Sequence, residues 1–221
     1  MREYRTFDVV GPIMIGPSSS HTAGAARLGM MAHKVAGGQV DKVTFHLHGS
    51  FAKTYKGHGT DRALLAGVMG IGEQDERLRD AYHLAEERGL DFTFVEADLG
   101  SVHPNTVRIE MTNGRGQDQS LQGASIGGGS IRVTEVNGFE TDFSGDNPVL
   151  ITRHHDQEGV ISGVTRILTS LGMNVVSLNC TRKERHGEAS MVVELEESVD
   201  LRVLPVIRNK VNGILDIVVI G

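Results

Sequence analysis

The chain has 221 residues, with 22 lysines and arginines against 28 aspartates and glutamates, a net charge of −6. Scattered basic residues in that balance give no field to hold a nucleic-acid backbone or an anionic membrane, and 5% aromatics without tryptophan leave no platform for stacked bases. One cysteine, Cys180, excludes an internal disulfide framework and a cluster or structural zinc site built from this chain's own thiolates, and it suits a reducing, cytosolic compartment.

The opening "MREYRTFDVVGPIMIG" is too short and too charged for a secretory leader, and no apolar run approaches the roughly 20 residues of a membrane span. Gly16-Pro17 then marks a turn before "SSSHTAGAARLG". Ser20 or Thr22 is the predicted N-cap of a helix on which Ala25, Leu28, Ala32 and Val35 recur at helical spacing. This places Ser18, Ser19, Ser20, His21 and Thr22 on a loop feeding a helix N-terminus, where free N–H groups and the dipole favour a carboxylate or phosphate. The same dipole disfavours imidazolium, so His21 leans toward the neutral form that can accept a proton. Those residues would equally serve an ordinary capped helix.

Val43, Phe45 and Leu47 alternate as a strand, with His46 and His48 on its other face as structural side chains. "YKGHGTD" reads as a second glycine-rich loop, His58 lying between two glycines and Thr60 capping the helix "DRALLAGVMG". Gly70 and Gly72 lack the third glycine of a dinucleotide fingerprint, and no Walker pattern occurs. One amphipathic helix, "DERLRDAYHLAEERG", ends at Gly89, and "DFTFVEA" is a strand. Beyond the proline turn "VHPNT" come four strand-like runs, around 107–111, 120–124, 131–136 and 140–144. Asn113-Gly114 and Asn137-Gly138 are hairpin signals, and "SIGGGS" at 125–130 is a stretch where backbone is exposed or contorted.

"SGDNP" at 144–148 is the natural linker, giving domains of 1–147 and 148–221. The second opens with the strand "VLITRHHD", whose His154-His155 reads as a solvated turn. A helix follows with Ile161, Val164, Ile167, Leu168 and Leu171 on one face and Gly172 at its stop. Then come the strand "NVVSLNCTR", the turn "KERHGE" and the strand "ASMVVELE", alternating for one buried face. A helix capped by Asp200, which Pro205 starts late or kinks, leads to the strand "ILDIVVI". That order is βαββαβ, a ferredoxin-like split unit, so the fold class is α+β. The sequon "NCT" at Asn179 has no secretory signal to make it useful.

Two histidine-bearing segments at helix N-termini, with a glycine run, are what a site for a small zwitterion or anion requires. Together "GPSSSHTAGAARLG", "GSFAKTYKGHGTD", "HPNT" and "SIGGG", in this order, resemble the beta subunit of the iron-sulfur-dependent L-serine dehydratases. Residues 149–221 resemble the ACT domain that follows in the two-subunit form.

The resemblance implies a first domain like the allosteric substrate-binding domain of some D-3-phosphoglycerate dehydrogenases. It also implies an L-serine ammonia-lyase, a lyase that removes water from L-serine to give aminoacrylate and then pyruvate and ammonia, in amino-acid catabolism and gluconeogenesis. It further implies a [4Fe-4S] cluster held by a cysteine-bearing alpha subunit, one open iron acting as Lewis acid on the serine hydroxyl, with no metal ligated by this chain. His21, Ser20 and Thr22 are then the expected catalytic group, and Ser18, Ser19, His58 and Thr60 the expected substrate-binding group. For the ACT-like domain it implies a small ligand or monovalent cation, seated at "HHDQEGVISG", or a dimer partner. The competing classes are a serine-sensing regulator and an assembly scaffold, neither of them catalytic.

Overall fold

The computed structural model describes residues 18–221, which divide into two compact units at the Asn137/Gly138 junction. The expected Gly16-Pro17 turn lies outside the described residues.

In the first unit a wide π-helical turn, Ser19–Ala23, runs without a break into helix α1, Gly24–Val35. Ala25, Ala26, Leu28 and Ala32 expose no surface, so this helix is packed along a face of mostly small side chains. Strand β1 (Val40–Leu47) follows, then α2 (Gly49–His58), α3 (Thr60–Val68), a 3₁₀ turn (Glu76–Asp80), α4 (Ala81–Glu87) and β2 (Asp91–Glu96). Strands β3 (Thr106–Asn113), β4 (Asp118–Gly127) and β5 (Ser130–Val136) complete the order. β1 pairs parallel with β2 and antiparallel with β3, and β4 and β5 extend the sheet by antiparallel pairing. A parallel neighbour needs a crossover, which α2, α3 and α4 supply.

The alternation of β1 is as the sequence predicts. Val43, Phe45 and Leu47 are buried, and Phe45 stacks on its cross-strand partner Phe94 with centroids 4.7 Å apart. The outer face is charged: His46 meets Glu110 at 3.2 Å, and Arg108 bridges Glu110 and Glu135 at 3.1 and 3.3 Å. His48 is likewise structural, its Nδ1 accepting the Leu99 N–H at 3.2 Å.

Helix α3 is buried at all but one of its positions, and it meets α1 backbone to backbone. A Cβ built on Gly67 would stand 2.4 Å from the Ala26 carbonyl oxygen, and one on Gly29 would stand 2.5 Å from that of Leu64. Tyr82 on α4 donates to the buried Asp61 of α3 at 2.7 Å, and its own burial with that carboxylate pushes the phenol well above its usual range.

The single helix expected through Gly89 is two pieces, because the Asp75 side chain caps the Arg77 N–H at 3.0 Å and starts a tight turn ahead of α4. Both hairpin signals hold, by different means. At Asn113 the side-chain oxygen accepts the N–H groups of Arg115 and Gln117, each at 3.0 Å, and closes a longer loop. Asn137 and Gly138 both take positive φ, 53° and 77°, as a type I′ turn requires.

The second unit starts with β6 (Phe139–Phe143). It continues β7 (Val149–His155), α5 (Val160–Ser170), β8 (Val175–Arg182), β9 (Glu188–Leu195), α6 (Val203–Lys210) and β10 (Ile214–Ile220). The last six elements give the predicted βαββαβ order, with strands β10-β7-β9-β8 all antiparallel. Leu150, Met191, Val193 and Leu195 from the sheet pack with Val164, Leu168, Val203 and Ile207 from the helices. Pro205 falls in the first turn of α6, where its missing N–H has no partner to lose, so the late start is realised without a kink.

Three expectations for this unit are corrected. The buried face of α5 runs through Val160, Val164, Ile167 and Leu168, leaving Ile161 and Leu171 exposed. β9 is buried along both faces, because β6 lies over the side opposite the helices, where Thr181 donates to the Glu140 carbonyl at 3.0 Å. His154 is a strand residue only 3% exposed, its Nδ1 3.2 Å from the Thr152 hydroxyl and its Nε2 4.0 Å from Cys180 Sγ.

Burial holds the His154 imidazole below its usual 6.5, against the opposing pull of Thr152 and Asp156. A histidine depressed in the folded state binds its proton more readily once unfolded. Its contribution to stability is therefore intact above 6.5 and is lost as pH falls through the folded value. Thermal melts of the native and His154→Gln chains between pH 7.5 and 5 should show a steeper acid-side loss in the native chain. Parallel slopes would remove His154 as the source.

Candidate active site

Four segments far apart in sequence meet at one end of the first unit. Ser18 is extended (φ −143°, ψ 123°) and is the N-cap: its Oγ accepts the His21 N–H at 3.4 Å, and its carbonyl accepts the Thr22 N–H at 2.8 Å. The cap thus stands ahead of Ser20 and Thr22, and the expected loop is itself the opening turn of the helix. A run of serines fits this start because each hydroxyl can satisfy a first-turn N–H, and Ser18 is the one whose backbone is extended.

The turn carries His21 inward to a half-buried place. Its Nδ1 is 3.3 Å from Ser18 Oγ, and its Nε2 is 3.1 Å from Ser50 Oγ, on the second residue of α2. The rings of Phe51 and His58 stand edge-on to it, with centroids 5.4 and 4.8 Å away. Burial and the neighbouring His58 hold the His21 imidazole below the usual histidine range. The shift runs in the expected direction, toward the neutral ring, with desolvation in first place as its cause.

His58 is the exposed last residue of α2, and its carbonyl accepts the Thr22 hydroxyl at 3.4 Å. Thr60 is sealed, with no exposed surface and no partner for its hydroxyl among the described residues. It is the first residue of α3 rather than its cap, since Gly59 ends α2 in the left-handed conformation and takes the cap position. Ser19 and Ser20 are half-buried on the opening turn. The fold therefore gathers Ser18, His21, Thr22 and His58, flanks them with Ser19 and Ser20, and keeps Thr60 beneath.

The other two segments hold this group in place. In "HPNT" the Pro104 carbonyl accepts the N–H groups of Ser50 and Phe51 at 2.8 and 3.4 Å, capping α2 from outside. Gly49 makes that approach possible: its φ is +56°, and a Cβ there would stand 2.7 Å from the same carbonyl oxygen. Asn105 links "HPNT" to "SIGGG", its carbonyl accepting the Ser125 N–H at 3.1 Å. Ser125 presses on the start of α1, where a Cβ on Gly24 would meet its Oγ at 2.1 Å, and its hydroxyl is buried without a partner among the described residues. Arg27 donates to the Gly129 carbonyl at 3.0 Å.

Ser50 escaped the reading of the sequence. The available signal was its position, a Gly-Ser pair at the junction of an alternating strand and a helix.

Among the described residues no three histidine, cysteine, aspartate or glutamate side chains come together as a metal site, and no helix is long and apolar enough to cross a membrane. Cys180 lies in the second unit as an exposed residue, and partial desolvation of its thiol raises the pKa.

Comparison with known proteins gives a consistent set of similarities. A family model described as the serine dehydratase beta chain matches residues 6–88. The probable L-serine dehydratase beta chain of Bacillus subtilis (strain 168) is 43% identical over 203 residues, covering 91% of this chain and 92% of that protein. The L-serine dehydratase beta chain of Peptoniphilus asaccharolyticus is 39% identical over 198 residues, covering 89% of each. A D-3-phosphoglycerate dehydrogenase of Synechocystis sp. is 30% identical over 198 residues, which span 87% of this chain and 34% of that enzyme.

Proposed function

Since the chain belongs to the L-serine dehydratase beta-chain family, we propose that it is the beta component of an L-serine ammonia-lyase and that its own residues carry the proton chemistry. The observation that carries this reading is His21: a half-buried imidazole, its pKa held below the usual histidine range, at the opening turn of a helix. Abstracting the α-proton of an amino acid needs a positioned base and a cradle for the carboxylate. In this reading His21 takes the proton from the α-carbon. The first-turn N–H groups and the hydroxyls of Ser18, Ser19, Ser20 and Thr22 hold the carboxylate, with His58 at the rim and Thr60 supporting from below. Loss of the α-proton and of the β-hydroxyl, which departs as water, leaves aminoacrylate, which tautomerises and hydrolyses to pyruvate and ammonia.

A [4Fe-4S] cluster requires several cysteine thiolates, and this chain has one cysteine, outside the first unit. The residues present do not fit the cluster, so in this reading it resides wholly on a cysteine-bearing alpha subunit. We place residues 1–147 as the serine dehydratase beta domain and 148–221 as an ACT domain that binds a small ligand or pairs with another copy. A cytosolic site, where the lone thiol stays reduced, completes the reading.

The test is anaerobic pyruvate formation from L-serine by this chain, by a candidate alpha chain, and by the two copurified. Turnover in the pair alone is expected. A stable pair with an intact cluster and no turnover would instead make this chain a regulator or scaffold.

A further inference from the structure

We propose that a cavity of about 220 Å³ where α1 and α3 end, at the opposite end of α1 from the His21 turn, binds a small aliphatic α-amino acid as a zwitterion. The 12 residues of α1 set about 18 Å between the two places.

Two side chains are brought to the cavity by the last carbonyls of α3 and its cap. His33 meets the Val68 carbonyl oxygen through Nδ1 at 2.9 Å, and Arg88 donates from Nη1 to the Met69 carbonyl at 2.8 Å. A carbonyl can only accept, so the His33 hydrogen is on Nδ1 and a neutral ring offers Nε2 as an acceptor. Nε2 has no partner among the described residues. It is turned toward glycines: a Cβ on Gly70 would stand 3.1 Å from it, and one on Gly38, in the cavity wall, 3.9 Å.

Asp41 of β1 lines the same space. One of its oxygens accepts the Gln39 amide at 3.0 Å, and the other has no partner among the described residues. The remaining N–H groups of Arg88 are likewise unused, so the carboxylate and the guanidinium share a cavity without pairing with each other. A carboxylate alone would find Arg88 but also face Asp41, and a cation alone would meet the reverse. A zwitterion satisfies both: its carboxylate takes the guanidinium fork, and its ammonium donates to Asp41 and to His33 Nε2, beside helix C-termini that favour positive charge. Val40, Val68 and Leu90 complete the wall and suit a short aliphatic side chain.

The test is a titration of the ¹⁵N-labelled full-length chain with L-valine, followed by amide shifts. Valine has no β-hydroxyl to lose, so the outcome is independent of whether serine is turned over. Saturating shifts at Gly38, Gln39 and Val40, with Kd at or below about 1 mM, are expected. Arg88→Gln and Asp41→Asn should each weaken binding about 10–100-fold, the loss that accompanies one charged hydrogen bond. Asparagine matches aspartate in shape and residue 41 is exposed, so the second variant tests the site even where the first unsettles the end of α3.

Shifts that do not saturate by about 10 mM valine overturn the proposal, and so does binding that survives both substitutions. Acetate or ethylammonium binding as tightly as valine would overturn the zwitterion and leave a plain ion site.

Discussion

Replacing His21 with alanine is expected to lower serine turnover by the assembled enzyme about 10²–10⁴-fold, the range lost when a positioned acid or base is removed. The chain should still fold and still pair. His21 is half-buried at a helix start and its removal opens no cavity in the core, which lies among residues such as Phe45, Leu64 and Ile109. Its neighbours Ser18 and Ser50 are hydroxyls that water can satisfy in its place. The measurement is anaerobic pyruvate release beside a thermal melt of the same preparation. His58→Ala is the necessary companion, because its ring is 4.8 Å away and carries the alternative assignment. Near-normal turnover in His21→Ala with a collapse in His58→Ala would move the acid/base role to His58.

The second expectation concerns the frame. Exchanging a helical glycine for alanine ordinarily favours the folded chain by about 1 kcal/mol through helix propensity. Gly67→Ala should do the opposite, destabilising the chain by about 1–3 kcal/mol, and Gly67→Val by more. The added Cβ would stand 2.4 Å from the Ala26 carbonyl oxygen and 2.7 Å from the Gly29 Cα, and both are backbone atoms that cannot swing aside. α1 must then move away from α3, taking the His21 turn with it. Denaturant unfolding gives the sign directly. A gain in stability for Gly67→Ala would mean that the two helices separate freely and that their contact does not set the site.

Much of this was legible in the residues, for reasons that differ by element. Val43, Phe45 and Leu47 announce their strand because period-two burial needs nothing beyond the strand itself. The element order of the second unit was readable because each of its elements is short, punctuated and strongly patterned. The failures came where a neighbour decides. His154 looked like a solvated turn because nothing local says that Thr152 and Cys180 enclose it. Thr60 looked like a cap because it precedes a helix, yet Gly59 takes that place and Thr60 is sealed beneath the surface. For the candidate site, the serine-histidine turn was visible as composition. Ser50 was not, since its meaning depends on a contact 29 residues away.

The cap on α2 also bears on the order in which the chain folds. A helix normally finds its first hydrogen-bond acceptors within its own few preceding residues, so its start can form early and alone. The N–H groups of Ser50 and Phe51 instead wait for the carbonyl of Pro104, far along the chain, and the His48 N–H waits for Thr106 at the head of β3. That contact forms only after the intervening loop has closed, with the entropy that closure removes. Ser50 therefore reaches His21 late on the folding path, and a chain trapped before β3 docks would hold helical structure and no site.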